Sequence, residues 1–118
     1  MPLQHGWQQL FMACKYVASS AETPQRRLAT AVESHIVVQK REHLPDQYCW
    51  ERVVQLVDAT TRINLKEGKR GLEVDTAPMT GSDAARWLGH IVSLFGDVAE
   101  AYGSQIRPVL NAAMAAMR

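Results

Sequence analysis

The chain has 118 residues, of which 47% are hydrophobic and 21% are charged, with 13 Lys and Arg against 12 Asp and Glu. This length and composition predict one globular domain spanning residues 1–118, and they exclude disorder as the global state. The net charge of +1 excludes a strongly basic nucleic-acid binder, as far as total charge alone can decide.

The N-terminal segment does not have the pattern of a secretory signal peptide. Residues 1–10 carry no basic residue and place Gln4, His5, Gln8 and Gln9 between the apolar positions. No stretch of the chain approaches the ~18 consecutive apolar residues of a membrane helix. We therefore expect a cytoplasmic protein that does not contact a membrane.

The cysteines and histidines do not predict a metal site or a cofactor. Cys14 and Cys49 are too few and too far apart for a metal or disulfide framework, although a single disulfide between them stays open. Both fall on apolar faces of predicted helices, where a free cysteine behaves as a small hydrophobe. The four histidines are scattered along the chain, and no two of them lie at ligand spacing on one helix face.

The first half of the chain has the three-and-four spacing of apolar residues that is typical of half-buried helices. One predicted helix covers residues 3–18. Thr23 is then expected to cap a second helix with Pro24 at its first position, where the missing N–H costs nothing. This second helix should stop near Lys40 or Arg41, because the proline that follows disfavours helical backbone before it.

The second half of the chain is predicted to add two or three more helices. A third helix starts at or after Pro45, and residues 62–79 form either a long loop or a short hairpin. A fourth helix begins near residue 81 and ends at Gly103 as a C-terminal cap, and a fifth follows with Pro108 in its first turn. The predicted fold class is an all-α bundle of four or five helices.

One group of residues on the fourth predicted helix has side chains that are suited to phosphodiester cleavage. Arg86, His90 and Asp97 are spaced by four and seven residues and therefore share one flank of the helix. An arginine could hold a phosphate and a histidine could move a proton. A solvated flank with an ordinary charge pair is the favoured interpretation, and a helical nuclease is the least favoured function.

The near-zero net charge conceals a polarised chain. Residues 26–70 contain nine basic and six acidic side chains, whereas residues 73–100 contain five acidic side chains and one basic side chain. Such a basic segment is able to contact phosphates, although solvated faces at loop ends are the commoner explanation. The candidate nucleic-acid-binding residues are Arg26, Arg27, Lys40, Arg41, Arg62, Lys66, Lys69 and Arg70.

A stripe of small residues is the most unusual feature of the sequence. Gly89, Gly96 and Gly103 recur every seven residues, with Ala85 and Ser93 adjacent on the same surface. A glycine inside a helix costs about 1 kcal/mol relative to alanine, and small side chains allow a second helix to come close. The stripe predicts contact with the fifth helix or with a second copy of the chain, unless the glycines are simply tolerated on an exposed face.

The hypothesis that these patterns favour is a non-enzymatic protein-interaction or regulatory module. It is expected to associate with itself, as a homodimer or higher oligomer, or with another protein. The predicted interface consists of Ala85, Gly89, Ser93 and Gly96. A nucleic-acid-associated protein that uses the basic 26–70 segment is the alternative.

Overall fold

The computed structural model describes residues 2–64 and 71–116, and it confirms the all-α class. Four α-helices carry the fold, and one small antiparallel hairpin lies between the third and the fourth. The elements in chain order are α1 (Pro2–Ser19), α2 (Pro24–Ala31), a π-helical turn (Val32–Ile36), a 3-10 turn (Arg41–His43), α3 (Gln47–Thr60), β1 (Thr61–Asn64), β2 (Gly71–Val74) and α4 (Gly81–Ala116).

The core lies where α1 and α4 pack against each other, with α2, the π-helical turn and α3 closing it. Leu10 of α1 and Ile91 and Leu94 of α4 are fully buried. The predicted apolar stripes therefore do form the core faces of their helices, as the spacing indicated. The three tryptophans, Trp7, Trp50 and Trp87, pack against this core as half-buried side chains.

Helix α2 ends earlier than the sequence predicts. After Ala31 the helix widens into a π-helical turn, in which the Val37 N–H donates to the Val32 carbonyl at 3.0 Å. The Gln39 side chain then donates Nε2 to the His35 carbonyl at 3.2 Å and caps the end of this turn. The prediction that the helix continues to Lys40 or Arg41 is wrong, because the Gln39 N–H bonds to the Ile36 carbonyl at 3.1 Å in a tighter turn and Lys40 already has extended backbone.

Helix α3 begins as the sequence predicts, directly after the Pro45 region. Asp46 is the N-cap, and its Oδ1 accepts from the Cys49 N–H at 2.8 Å. This bond explains why the pKa of the Asp46 carboxyl is lowered, since the backbone donor favours its ionised form. Thr23 caps α2 in the same way, accepting from the Arg26 N–H at 3.3 Å.

The ambiguous stretch after α3 contains a hairpin, which was one of the two open alternatives. Strands β1 and β2 pair with Thr61 opposite Val74 and Asn64 opposite Gly71. The segment that leaves β2 is fixed to α2, because the hydroxyl of buried Thr76 donates to the Gln25 carbonyl at 2.6 Å. A hairpin of this size needs such packing to be stable.

Helix α4 is one continuous helix, so the predicted break at Gly103 and the separate fifth helix are wrong. Its 36 residues include both Gly103 and Pro108. Glycine can adopt helical backbone at a cost of about 1 kcal/mol relative to alanine, and an interior proline costs about 3 kcal/mol through a lost hydrogen bond and a clash with the preceding turn; the helix nevertheless continues through both residues. At 1.5 Å per residue α4 is about 54 Å long, and it gives the molecule its longest dimension of 62 Å.

One glycine has a packing role that the sequence did not reveal. Gly6 of α1 is buried, and a Cβ placed on it would lie 2.1 Å from the carbonyl oxygen of His43. The rings of His5 and His43 also lie 4.3 Å apart, centroid to centroid. The absence of a side chain at residue 6 is therefore what allows the 3-10 turn to rest against α1.

Candidate functional site

The predicted interface residues lie on a surface of α4 that nothing else in the described chain covers. Ala85, Gly89, Ser93 and Gly96 are all exposed. A Cβ added at Gly89, Gly96 or Gly103 would meet no atom within 4 Å. The predicted contact with a fifth helix is therefore wrong, which leaves a second copy or an uncovered face as the remaining interpretations.

The C-terminal part of α4 extends beyond the helices that cover its first part. From Arg107 to Ala116 every side chain that the structure describes is exposed, including Val109 at 70% and Met114 at 58%. At about 100° per residue Val109 continues the line of Ile91 and Val98, which are fully buried. The core-facing stripe of α4 thus extends past the point where the rest of the described chain covers it.

The exposed arc of α4 that holds the glycines also carries two charges of opposite sign. Glu100 and Arg107 are exposed and seven residues apart, and at about 100° per residue both project within this arc, close to the line of Gly89. Neither has an ion-pair partner among residues 2–64 and 71–116. Met114 lies on the same line as Gly96. The arc therefore carries small side chains in the first half of α4 and a large side chain in the second half.

The three weak catalytic candidates are not assembled into one group, since two of them pair with other residues. Arg86 pairs with Asp83 one helical turn before it, at 3.5 Å. His90 packs its ring 5.0 Å from the ring of Trp87. Asp97 is ion-paired with Arg52 of α3.

The structure shows a role for Arg52, a residue that the sequence did not single out. Its side chain is 10% exposed and pairs with Asp97, while its second terminal nitrogen approaches the His90 carbonyl at 3.4 Å. The guanidinium also lies 5.3 Å from the centroid of the exposed Tyr48 ring. Arg52 therefore ties α3 to α4, and its position as the one basic residue of α3 was the only sequence signal for this.

The candidate nucleic-acid-binding residues that the structure describes do not form one patch. Arg27 donates to the Val17 carbonyl near the end of α1 at 3.4 Å, whereas Lys40 and Arg41 lie at the start of the 3-10 turn that rests on Gly6. These two groups are about 16 Å apart along α1, from its rise per residue. Two of the remaining candidates are ion-paired: Arg26 pairs with Glu22, and Arg62 pairs with Glu73 and Asp75. The other three lie outside the described residues, namely Lys66, Lys69 and Arg70.

A half-open cavity of about 660 Å³ lies on another side of the molecule, between the π-helical turn, α3 and the hairpin. Ile36, Val54, Val57 and Val74 contribute to its apolar wall, together with the half-buried ring of Trp50. Its volume lies within the ~300–1,000 Å³ that is typical of small-molecule sites. Sequence reasoning missed it because the cavity is formed by three elements whose arrangement no local pattern encodes.

The cavity wall contains a buried polar atom that lacks a hydrogen bond. Gln39 is 5% exposed, and its Oε1 has no partner among the described residues. Its Nε2 is already committed to the His35 carbonyl, so the free atom is the acceptor oxygen. A buried acceptor without a donor costs about 1–3 kcal/mol, and such a cost calls for an explanation.

Among the described residues, the charged side chains in the cavity lining are all carboxylates. They come from Glu33 of the π-helical turn, Asp58 of α3 and Glu73 of β2. Glu73 pairs with Arg62 at 3.6 Å, while Glu33 and Asp58 have no ion-pair partner among the described residues. The cavity therefore combines an apolar wall with a negative edge.

Both cysteines are free thiols, and no disulfide joins them. Burial, followed by a hydrogen bond with Asp46, raises the pKa of the Cys49 thiol to about 11. Burial also raises the pKa of the Cys14 thiol. Neither thiol has the lowered pKa of a reactive cysteine, so both behave as the small apolar side chains that the sequence predicts.

Acid is expected to weaken the contact between α1 and the 3-10 turn. Burial, and then the neighbouring His5, lower the pKa of His43 below its ordinary 6.5, and His43 Nδ1 accepts from the Lys40 N–H at 3.0 Å. As the pH falls, the unfolded chain therefore takes up a proton on His43 before the folded chain does. The contribution of neutral His43 to the free energy of unfolding is complete above pH 6.5, and it is lost as the pH drops through the lowered pKa. Urea midpoints at pH 7.5 and pH 5 measure this loss.

His43→Gln provides the control for the effect of acid. The loss of stability between the two pH values should shrink in this variant, and the remainder belongs to His35, whose pKa burial also lowers. An undiminished loss in His43→Gln would contradict the assignment.

Comparison with known proteins gives no relative. No family model, no curated protein and no solved structure matches the chain. Among the residues that the structure describes, no helix is long and apolar enough to cross a membrane. Within the same ranges, no group of three or more His, Cys, Asp or Glu side chains is arranged to hold a metal ion.

Proposed function

We propose that this protein is a non-enzymatic interaction module that associates with a second copy of itself through α4. The observation that carries the proposal is the stretch from Arg107 to Ala116, where every described side chain is exposed and Met114, on the same line as Gly96, is 58% exposed. Isolated helices of this length are marginal in water, and packing of an apolar face is what stabilises them in proteins. A second helix against this stretch would supply that packing. A reducing cytoplasm, where the two free thiols would persist, is the proposed location.

An antiparallel pair of α4 helices that cross near Gly103 accounts for the distribution of side chains on the exposed arc. Such a crossing brings Glu100 of each copy opposite Arg107 of the other copy, because both lie at nearly equal distances from the crossing point. It also lays Met114 over the small residues around Gly96. A two-fold axis repeats each contact twice, so an interface of this kind requires opposite charges and side chains of complementary size at both of its ends.

A charge swap tests this arrangement. Glu100→Arg and Arg107→Glu should each weaken the dimer about tenfold, since each variant places like charges opposite one another at both ends of the crossing. The double variant Glu100→Arg/Arg107→Glu restores opposite charges and should recover the affinity. Sedimentation equilibrium at micromolar concentrations measures the dissociation constants.

Two controls separate this interface from a general effect of charge or of folding. Lys15→Glu on α1 makes the same charge change as Arg107→Glu away from the arc and should leave association unchanged. Gly96→Leu enters open space in the single chain, so it should keep the fold while preventing close approach of a second α4. A monomer at tens of micromolar, or a double variant no better than the single ones, would refute the proposal.

A further inference from the structure

We propose that the cavity between the π-helical turn, α3 and the hairpin is a binding site for a small organic amine with an apolar body. This site is separate from the association surface of α4, and the proposal does not depend on that association. It rests on three observations that point to the same ligand chemistry: the apolar wall, the free acceptor of Gln39 and the carboxylates at the edge.

The cavity has the size and the wall for a small apolar group. It holds about 660 Å³, and Trp50, Val54 and Val57 line it from α3. Val54 at 39% and Val37 at 44% are left exposed there, although valine is ordinarily among the most buried residue types. An apolar ligand would remove these side chains from water.

The polar side chains of the cavity indicate which chemical group the ligand should carry at its other end. Gln39 lines the cavity, its Oε1 lacks a donor among the described residues, and its amide nitrogen is held by the His35 carbonyl, so a ligand that donates a hydrogen bond would satisfy it. Glu33 and Asp58, which have no ion-pair partner among the described residues, favour a positive charge. An ammonium group both donates and carries that charge, whereas a carboxylate does neither.

The local backbone supports the same interpretation. The π-helical turn Val32–Ile36 supplies Ile36 to the wall and directly precedes Val37 and Gln39. Turns of this kind are uncommon and often occur at functional sites, because they displace side chains from their ordinary helical positions. Here the turn is followed by Gln39, a residue of the cavity lining whose side-chain oxygen lacks a donor among the described residues.

The test compares three probes that share one apolar body: phenylbutylamine, phenylbutanol and phenylbutyrate. The full chain, labelled with ¹⁵N, is titrated with each probe, and the Trp50 indole N–H and the Gln39 side-chain amide are followed by NMR. We expect the amine to shift both signals and to bind about tenfold more tightly than the alcohol, in keeping with a charge-assisted hydrogen bond. Phenylbutyrate is expected to bind least.

Variants assign the two polar contributions. Gln39→Met keeps the length of the side chain and should weaken the amine about tenfold, with a melting temperature no lower than that of the parent protein. Asp58→Asn should weaken the amine a few-fold and leave the alcohol unchanged. Glu22→Gln, which removes the same charge far from the cavity lining, should change neither.

Several results would overturn the proposal. The amine not binding, or the amine and phenylbutyrate binding equally well, would contradict a cation-selective site. An unchanged amine affinity in a folded Gln39→Met variant would remove the acceptor from the site. Binding that shifts other signals while those of Trp50 and Gln39 stay in place would move the site elsewhere.

Discussion

Gly6→Ala is expected to lower the free energy of unfolding by about 2 kcal/mol, although alanine is the better helix former. The new Cβ would lie 2.1 Å from the His43 carbonyl oxygen. That oxygen belongs to the backbone of the 3-10 turn, so it cannot rotate away as the end of a flexible side chain would. Relief requires α1 and the turn to separate, which would expose apolar surface beneath them.

The matched control for this prediction is the same substitution on α4. A Cβ at Gly89 meets nothing within 4 Å, so Gly89→Ala should stabilise the single chain by about 1 kcal/mol through helix propensity alone. Urea denaturation at a protein concentration below the dissociation constant of any dimer compares the two variants. Opposite signs are expected, and a gain of stability in Gly6→Ala would disprove the close contact between α1 and the turn.

The second large effect concerns the ion pair between α3 and α4, and it is asymmetric. Asp97→Ala should cost about 2–3 kcal/mol, because it leaves the charge of an arginine whose side chain is only 10% exposed without its carboxylate. Arg52→Met should cost only about 1 kcal/mol, since the side chain of Asp97 is 50% exposed and water can solvate it. The methionine also retains most of the apolar stem.

The double variant Arg52→Met/Asp97→Ala tests the reason for this asymmetry. Once Arg52 is absent, the removal of Asp97 should add little, so the double variant should be close to Arg52→Met alone. Glu22→Ala is the control, because it breaks an exposed ion pair with Arg26 and should change stability by less than about 0.5 kcal/mol. Equal losses in the two single variants would contradict the argument from burial.

The elements that the sequence predicted are those with a local signal. The caps at Thr23 and Asp46 and the apolar stripes of α1, α3 and α4 follow from side-chain type and spacing. The helix ends that were predicted wrongly are those where the local sequence is compatible with more than one structure. Gly103 ends a helix or continues it, and the residues next to it in the sequence do not decide between the two. The π-helical turn after Ala31 and the side-chain contact of Gln39 at its end are not encoded by any periodicity.

The parts of the candidate sites that could not be predicted depend on residues far apart in the sequence. Nothing near Gly6 indicates that a carbonyl of residue 43 will lie against it. The cavity needs α3, the hairpin and the π-helical turn to be in place before Gln39 becomes a buried acceptor. In contrast, the small residues of α4 were visible as a seven-residue repeat, and the structure adds that no other part of the described chain covers them.

The packing of α1 against α4 also has a consequence for the order in which the protein folds. Trp7 stacks on Tyr102 with ring centroids 5.5 Å apart, and the most extensive contact between helices, that of α1 with α4, joins segments at nearly opposite ends of the described sequence. Contacts with such large sequence separation form slowly, because a long stretch of chain must close before they stabilise anything. A nascent chain that emerges from the ribosome would hold the part of α1 that packs on α4 uncovered until α4 has been made, whereas the rest of α1 can already pack on α2 and the turns that follow it. During synthesis, then, Trp7 is a residue that a chaperone would find exposed.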